Sequence, residues 1–346
     1  MRRNPFILFR ICVGLMKFIS AFGNEHMRYV LIVVVVLAVV LLFRQFLLQS
    51  SGPLHIGKHV ISYDQYLSRQ DRIIPKIIWR TSKYPLRTAP TEIREILRLA
   101  AVMNPDYIQI YMDDEEIESF IASEYPQYLR QFKSLIPGAY KADLFRLLVL
   151  YKYGGVYNDI GHEYLVPLNE IIEVGDEFIA GTEDNEMGSF QHALHNSMIA
   201  TFPRNPLIQT MIDTVMEDVG TCMYNSDPLD VSGPAALGHA FNVWRFTGGN
   251  DRSKAIEGYT SRLPRGTNII RGMQIKTLSH DYKKNALILN GKKVINTKFS
   301  GFYEVIYQRK DMSAHYDHQW KIKQVYDKSK TDCTSTGVAV RGQTCC

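Results

Sequence analysis

Two adjacent glycines, Gly154 and Gly155, divide a stretch of helical periodicity from a stretch of strand character. Ahead of them, residues 140–153 carry Leu144, Leu147 and Leu148 at spacings that share one helix face. Behind them, residues 156–160 read Val-Tyr-Asn-Asp-Ile, a strand pattern. Glycine lacks a Cβ, so a Gly-Gly pair lets a helix stop and a strand begin with almost no connecting loop. A chain that passes directly from helix to strand must stack the two as layers of an α/β domain. The same alternation surrounds this unit. Residues 76–79 read as a strand after Pro75. Residues 91–103 read as a helix, with Ile93, Ile96, Leu97 and Ala100 on one face and Asn104-Pro105 as its stop. Residues 107–112 read as a strand, Asp113 and Glu116 as a capping-box-like helix start, and residues 177–181 as another strand. The pattern predicts an α/β fold with a mainly parallel central sheet.

The helix–Gly-Gly–strand unit also carries the chemistry. Asp143 and Arg146 are three residues apart and share a helix face. Tyr157 and Asp159 point to one side of the strand, and Val156, Asn158 and Ile160 to the other. Asp159 therefore sits near the carboxyl end of a strand, where open α/β sheets bind ligands. Taken singly, each residue reads better as part of a surface ion pair or a turn. Their concentration within residues 143–159 favours a site.

Composition excludes several classes. A hydrophobic content of 46% with 22% charged residues excludes wholesale disorder. The net charge of +5 is weak and dispersed, which argues against a nucleic-acid surface. Five scattered cysteines fit neither a disulfide scaffold nor a zinc cluster, and Cys222 reads as an ordinary thiol.

Residues 29–43 form an unbroken apolar run, and counting on to 48 reaches the ~20 residues a bilayer span needs, with Arg44 able to snorkel. Arg2, Arg3, Arg10, Lys17 and Arg28 precede the run, whereas Arg44 and Lys58 follow it. This excess predicts a cytosolic N-terminus and a lumenal or external body, the type II arrangement. Residues 5–22 read as an interfacial amphipathic segment; a second span there would reverse the topology. The expected organisation is an N-terminal cytosolic or interfacial segment (1–28), a transmembrane helix (29–48), a stem (49–70), an α/β domain (71–320) and a polar tail (321–346).

Several motifs in order resemble one family. They are Ile74-Pro75-Lys76-Ile77-Ile78-Trp79, then Asn104-Pro105-Asp106-Tyr107 and Met112-Asp113-Asp114-Glu115. Lys141-Ala142-Asp143-Leu144-Phe145-Arg146 and Gly154-Gly155-Val156-Tyr157-Asn158-Asp159 follow. Asn196, Ser232-Gly233-Pro234 and His315-Tyr316-Asp317-His318-Gln319-Trp320 complete the series. Together they resemble the DXD-containing glycosyltransferases of the sugar-binding-region group. That group has the GT-A fold and includes yeast-type initiating mannosyltransferases and, distantly, the large clostridial glucosylating toxins. The resemblance implies transfer of a hexose from a UDP- or GDP-sugar to a glycan, glycoprotein, glycolipid or other hydroxyl acceptor, with retained configuration, in a Golgi- or ER-type membrane. It implies Asp143, Arg146 and Asp159 as catalytic residues, with Asp143 and Arg146 on the sugar hydroxyls, Tyr157 near the nucleotide and Asp159 on ribose and metal. Trp79 would lie near the base and Trp320 near the β-phosphate, with a place in the core as the equal alternative for either indole. Asn196, Ser232 and Gly233 would face the acceptor. The implied cofactor is Mn²⁺ or Mg²⁺.

The chain departs from that pattern at Gly161, where the family has the second acid of Asp-x-Asp. Glu163 or His162 could substitute, Asp317 with His315 could carry more of the ion, or the enzyme could act with little metal help. The metal set expected here is Asp159, Glu163 and Asp317. The alternative is a catalytically degenerate, membrane-anchored sugar- or nucleotide-binding protein.

Overall fold

A computed structural model describes residues 72–183, 193–225, 227–249, 261–307 and 315–330. The expected cytosolic segment, membrane span and stem lie outside the described residues. Among the described residues, no helix is long and apolar enough to cross a membrane.

The elements follow in chain order as β1 (Ile77–Thr81), α1 (Thr91–Met103), β2 (Ile108–Met112), α2 (Asp114–Glu124), α3 (Leu129–Ser134), α4 (Gly138–Tyr153) and β3 (Gly155–Asn158). Next come β4 (Glu163–Tyr164), α5 (Leu168–Ile171), β5 (Phe178–Glu183), β6 (Leu194–Thr201), α6 (Pro206–Gly220) and α7 (Pro234–Thr247). The chain continues through β7 (Gly266–Ile270), β8 (Met273–Asp281), β9 (Ala286–Leu289), β10 (Lys292–Asn296), α8 (Phe302–Tyr307) and α9 (Tyr316–Lys321). Among the described residues the strands form one sheet in the order β2-β1-β3-β6-β5-β8-β9-β10-β4, with β7 on β8.

The expectation of a mainly parallel sheet is corrected: the fold is mixed α/β. Only β1–β2, β1–β3 and β5–β8 pair in parallel, whereas β3–β6, β5–β6, β7–β8, β8–β9, β9–β10 and β4–β10 are antiparallel. The helical periodicity legible in the N-terminal half supplies crossovers for parallel pairing. Beyond residue 261 the chain turns back through short hairpins, which can pair only antiparallel strands.

Alternate strand residues feed opposite layers, as the two-residue period requires. Ile77, Tyr157, Phe178, Ala180 and Ile199 join Leu144, Leu147 and Leu148 of α4 and the apolar faces of α6 and α7. Ile78, Val156, Ile179 and Met198 face Leu168 and Ile171 of α5 on the other side. The Gly-Gly turn is required by both conformation and space. Gly154 and Gly155 have φ of 62° and 93°, and a Cβ on them would lie 2.8 Å from the Thr201 carbonyl oxygen and 2.7 Å from that of Ile77, respectively. The capping box on α2 forms as expected, with the Asp113 carboxylate accepting from the Glu115 and Glu116 amides and the Glu116 side chain accepting from the Asp113 amide. Of the expected polar tail, residues 321–330 begin docked: the Ile136 amide donates to Val325 O at 2.8 Å and the Asp327 amide to Ser134 O at 2.7 Å.

Candidate active site

Because β1, β2 and β3 run in parallel, their carboxyl ends open together at one edge of the sheet. There the chain leaves β3 at Asn158, two residues before the expected strand end, and Asp159 begins a turn. The Asp159 amide is anchored by Ser197 O of β6 at 2.8 Å, and the His162 amide closes the turn on Asp159 O at 3.0 Å. A cleft of about 1170 Å³ lies over this edge.

Asp143, Arg146, Tyr157 and Asp159 converge on the cleft floor. The Arg146 guanidinium lies 2.8 Å from Asp143 Oδ1 and 3.4 Å from Asp159 Oδ1, and 4.5 Å above the Tyr157 ring. It also donates to the Asn196 carbonyl. Asp143 is held by further protein donors: Asn196 Nδ2 reaches Oδ1 at 2.8 Å and Ser232 Oγ reaches Oδ2 at 3.0 Å. Gly233 brings the start of α7 up to this carboxylate, where an added Cβ would stand 3.6 Å from Asp143 Oδ2 and 3.0 Å from Leu229 O. Asn196 and Ser232, expected on the acceptor side, are therefore the groups that hold Asp143. Burial pushes the Asp143 carboxyl up to about 6, against the opposing pull of Arg146, Ser232 and Asn196. The Asp159 side chain is 40% exposed and presents the accessible carboxylate of the set.

Both tryptophans spend their indole donors within the protein. Trp79 lies in the core, stacked on Tyr153 at 5.6 Å, and its indole N–H donates to Gly154 O at 2.8 Å. Trp320 donates its indole N–H to Tyr224 O at 2.7 Å, and Lys323 lies over its ring. An indole has one donor, and in each case the protein backbone takes it. Neither residue lines the cleft.

The expected metal set does not assemble. Glu163 is on β4, beyond the turn, and accepts from Asn296 of β10 at 3.2 Å. Asp317 is paired with Lys321 at 2.7 Å. His162 is wholly buried, with Nδ1 donating to Asn158 Oδ1 at 2.9 Å, and burial next to Arg80 holds it well below the usual histidine range. Among the described residues no group of three or more His, Cys, Asp or Glu side chains is placed to hold a metal ion. Asp159 is thus the one carboxylate of the expected set that lines the cleft, so a Mn²⁺ or Mg²⁺ there would draw its other oxygen ligands from outside these side chains.

Several residues in and around this site gave no sequence signal. Arg80, fully buried on β1, supports the turn from behind by donating to His162 O at 3.0 Å. The His195 and His280 rings lie 3.9 Å apart, tilted by 37°, in the cleft wall. Lys298, Phe302 and Tyr303 join the cleft from more than a hundred residues away, and the Phe302 ring abuts Gly161. Pairing of β10 with β4 is what delivers them. Cys222, expected as a free thiol, is disulfide-bonded.

Residues 90–176 match the family described as "Glycosyltransferase sugar-binding region containing DXD motif", which includes Asp143, Arg146, Asp159 and Gly161. The chain is 35% identical over 96 residues to inositol phosphoceramide mannosyltransferase 3 of Schizosaccharomyces pombe, covering 27% of this chain and 26% of that protein. It is 34% identical over 104 residues to the initiation-specific alpha-1,6-mannosyltransferase of the same yeast, covering 29% and 26%. It thus spans about a quarter of the length of these relatives. A solved structure, the PaToxG glycosyltransferase, aligns with 54% of this chain and 74% of its own, at 20% identity and a TM-score of 0.36.

Proposed function

We propose that this chain is a glycosyltransferase with a GT-A-like catalytic domain. It moves a hexose, mannose by analogy with the matched yeast enzymes, from a nucleotide-sugar to a hydroxyl of a glycan, glycoprotein or glycolipid. The observation that carries this reading is the clamp at the cleft floor. Arg146 bridges buried Asp143 and accessible Asp159 within the segment that matches the sugar-binding region. Such a clamp holds acceptor and donor groups for hydroxyls in fixed positions, which is what orienting a sugar requires. Asp143 and Arg146 position the site, and Asp159 faces the donor. Retained configuration follows the family resemblance, and we assign it to front-face displacement. In that step the departing phosphate takes the acceptor's proton.

The proposed setting is a type II membrane protein with a lumenal body. The Cys222 disulfide supports an oxidising compartment, and the apolar run at 29–48 supports the anchor. A second reading, a sugar- or nucleotide-binding protein without turnover, is favoured by the missing acid at Gly161. Incubating the full-length protein with GDP-mannose and a panel of UDP-sugars, and following nucleotide release with and without glycan or glycolipid acceptors, decides between them. Binding without release supports the second reading, and absence of both overturns the nucleotide-sugar assignment.

A further inference from the structure

The residue that departs from the family pattern is a glycine for reasons of space. Gly161 does not have the positive φ that would call for glycine. A Cβ there would stand 2.6 and 3.0 Å from two ring carbons of Phe302 and 3.1 Å from Thr297 O. Phe302 is not free to move aside. It makes edge contacts with Phe299 at 5.4 Å and Tyr303 at 5.5 Å. Its helix is held by Tyr84 Oη on Val305 O, and Val305 and Ile306 pack with Ile93, Leu97 and Tyr111. An aromatic ring therefore occupies the place of the second acid. Asp159, the remaining acid, already faces Arg146 in front and feels buried Arg80 behind, so a divalent ion would meet two fixed positive charges.

A nucleotide-sugar still brings a diphosphate whose charge grows as it leaves. Among the cleft cations, Arg146 is paired with Asp143 and Asp159, while Lys83 and Lys141 lie over the rings of Tyr84 and Phe132. Lys298, like those two lysines, has no carboxylate partner among the described residues, and of the three it is the one next in sequence to the Gly161 contact. It follows Thr297, whose carbonyl abuts the 161 position, and its ammonium donates to the Tyr303 hydroxyl and lies 4.7 Å over the Tyr303 ring. We propose that Lys298, oriented by Tyr303, binds the donor diphosphate in place of a carboxylate-held divalent ion. An ammonium carries three donors and a compact charge suited to phosphate oxygens. In the transfer step the bond from the sugar C1 to the β-phosphate oxygen breaks with its electron pair going to that oxygen, which Lys298 stabilises. The acceptor oxygen bonds to C1, and its proton passes to the departing phosphate.

This proposal rests on the nucleotide-sugar reading of the cleft, and one titration separates the two. The full-length protein in detergent is titrated calorimetrically with GDP, guanosine, UDP and uridine, in EDTA or in Mn²⁺. For the nucleotide it binds, the wild type is expected to prefer the diphosphate over the nucleoside by about tenfold or more in EDTA, with little gain from Mn²⁺. In Lys298→Met that preference should shrink to about threefold or less, with nucleoside affinity unchanged as the sign of an intact fold, while Lys298→Arg should retain most of it. A preference that appears only with Mn²⁺, or one that Lys298→Met leaves whole, overturns the proposal while leaving the nucleotide-sugar reading in place. If the wild type binds no nucleoside and no nucleoside diphosphate under either condition, the nucleotide-sugar reading fails and takes the proposal with it.

Discussion

At Asp143, burial and pairing act in opposite directions, and the balance has a pH signature. Burial lifts the carboxyl to about 6, above the ordinary aspartate range near ~3.9. Between those values the folded chain holds a proton that the unfolded chain has released. The contribution to stability is therefore full in acid and is lost as pH rises to about 6. Activity needs the anion, which orients Arg146, so kcat/KM should climb through the same window. Melting curves and pH–rate profiles of wild type and Asp143→Asn test this. The variant should lose both dependences and on the order of 10²-fold in kcat/KM. Arg146 is the complementary case. Its planar fork serves Asp143, Asp159 and the Asn196 carbonyl at once, and a lysine ammonium cannot reproduce that geometry. Arg146→Lys should therefore lose turnover by a similar factor in a steady-state assay while still melting cooperatively; near wild-type turnover would return Arg146 to a purely structural role.

At the scale of elements, the site depends on two tight junctions. The α4–β3 junction places Asp143 and Asp159 on neighbouring elements, and its glycines are demanded by positive φ and by backbone atoms under 3 Å from any added Cβ. Gly155→Ala should cost at least ~1–3 kcal/mol in denaturant unfolding. The cap on α2 is independent of the cleft floor, so Asp113→Ala should cost ~1 kcal/mol and leave turnover near wild type. The second junction is the packing of α8 on the 159–162 turn. Gly161→Asp, which would restore the family's second acid, should destabilise by ~1–3 kcal/mol through overpacking against Phe302. Phe302→Ala should relieve that cost when combined with it, and a double-mutant cycle measures the coupling. Additive losses would show that the two residues do not compete for one space.

For the whole molecule, the prediction concerns sidedness. If the body is lumenal, protease added to sealed vesicles should spare residues 73–320 until detergent is added. Digestion from the cytosolic side would revive residues 5–22 as a second span. The body itself is a sheet of two characters. Its parallel part, β2-β1-β3, sets out the cleft edge, and its antiparallel part, through β8, β9 and β10, returns the chain to cover that edge. The site is complete only when both parts are paired, since Lys298 and Phe302 arrive on the second.

The sequence by itself determined the features decided within a few residues. These include the Gly-Gly junction, the capping box at Asp113 and the helix at 91–103. Backbone sterics and hydrogen bonding within a turn settle such features locally. It also brought Asp143, Arg146 and Asp159 onto adjoining elements, because one short junction links them. Only the tertiary structure decided the sheet's mixed pairing, the withdrawal of Trp79 and Trp320 into backbone hydrogen bonds, and the separation of Glu163 from Asp159 by a turn. It alone put Phe302 where a second carboxylate would stand. Each of those outcomes is fixed by which distant segment fills a given volume or meets a given donor. Close packing leaves room for one occupant at each place, and no period along the chain encodes which one arrives.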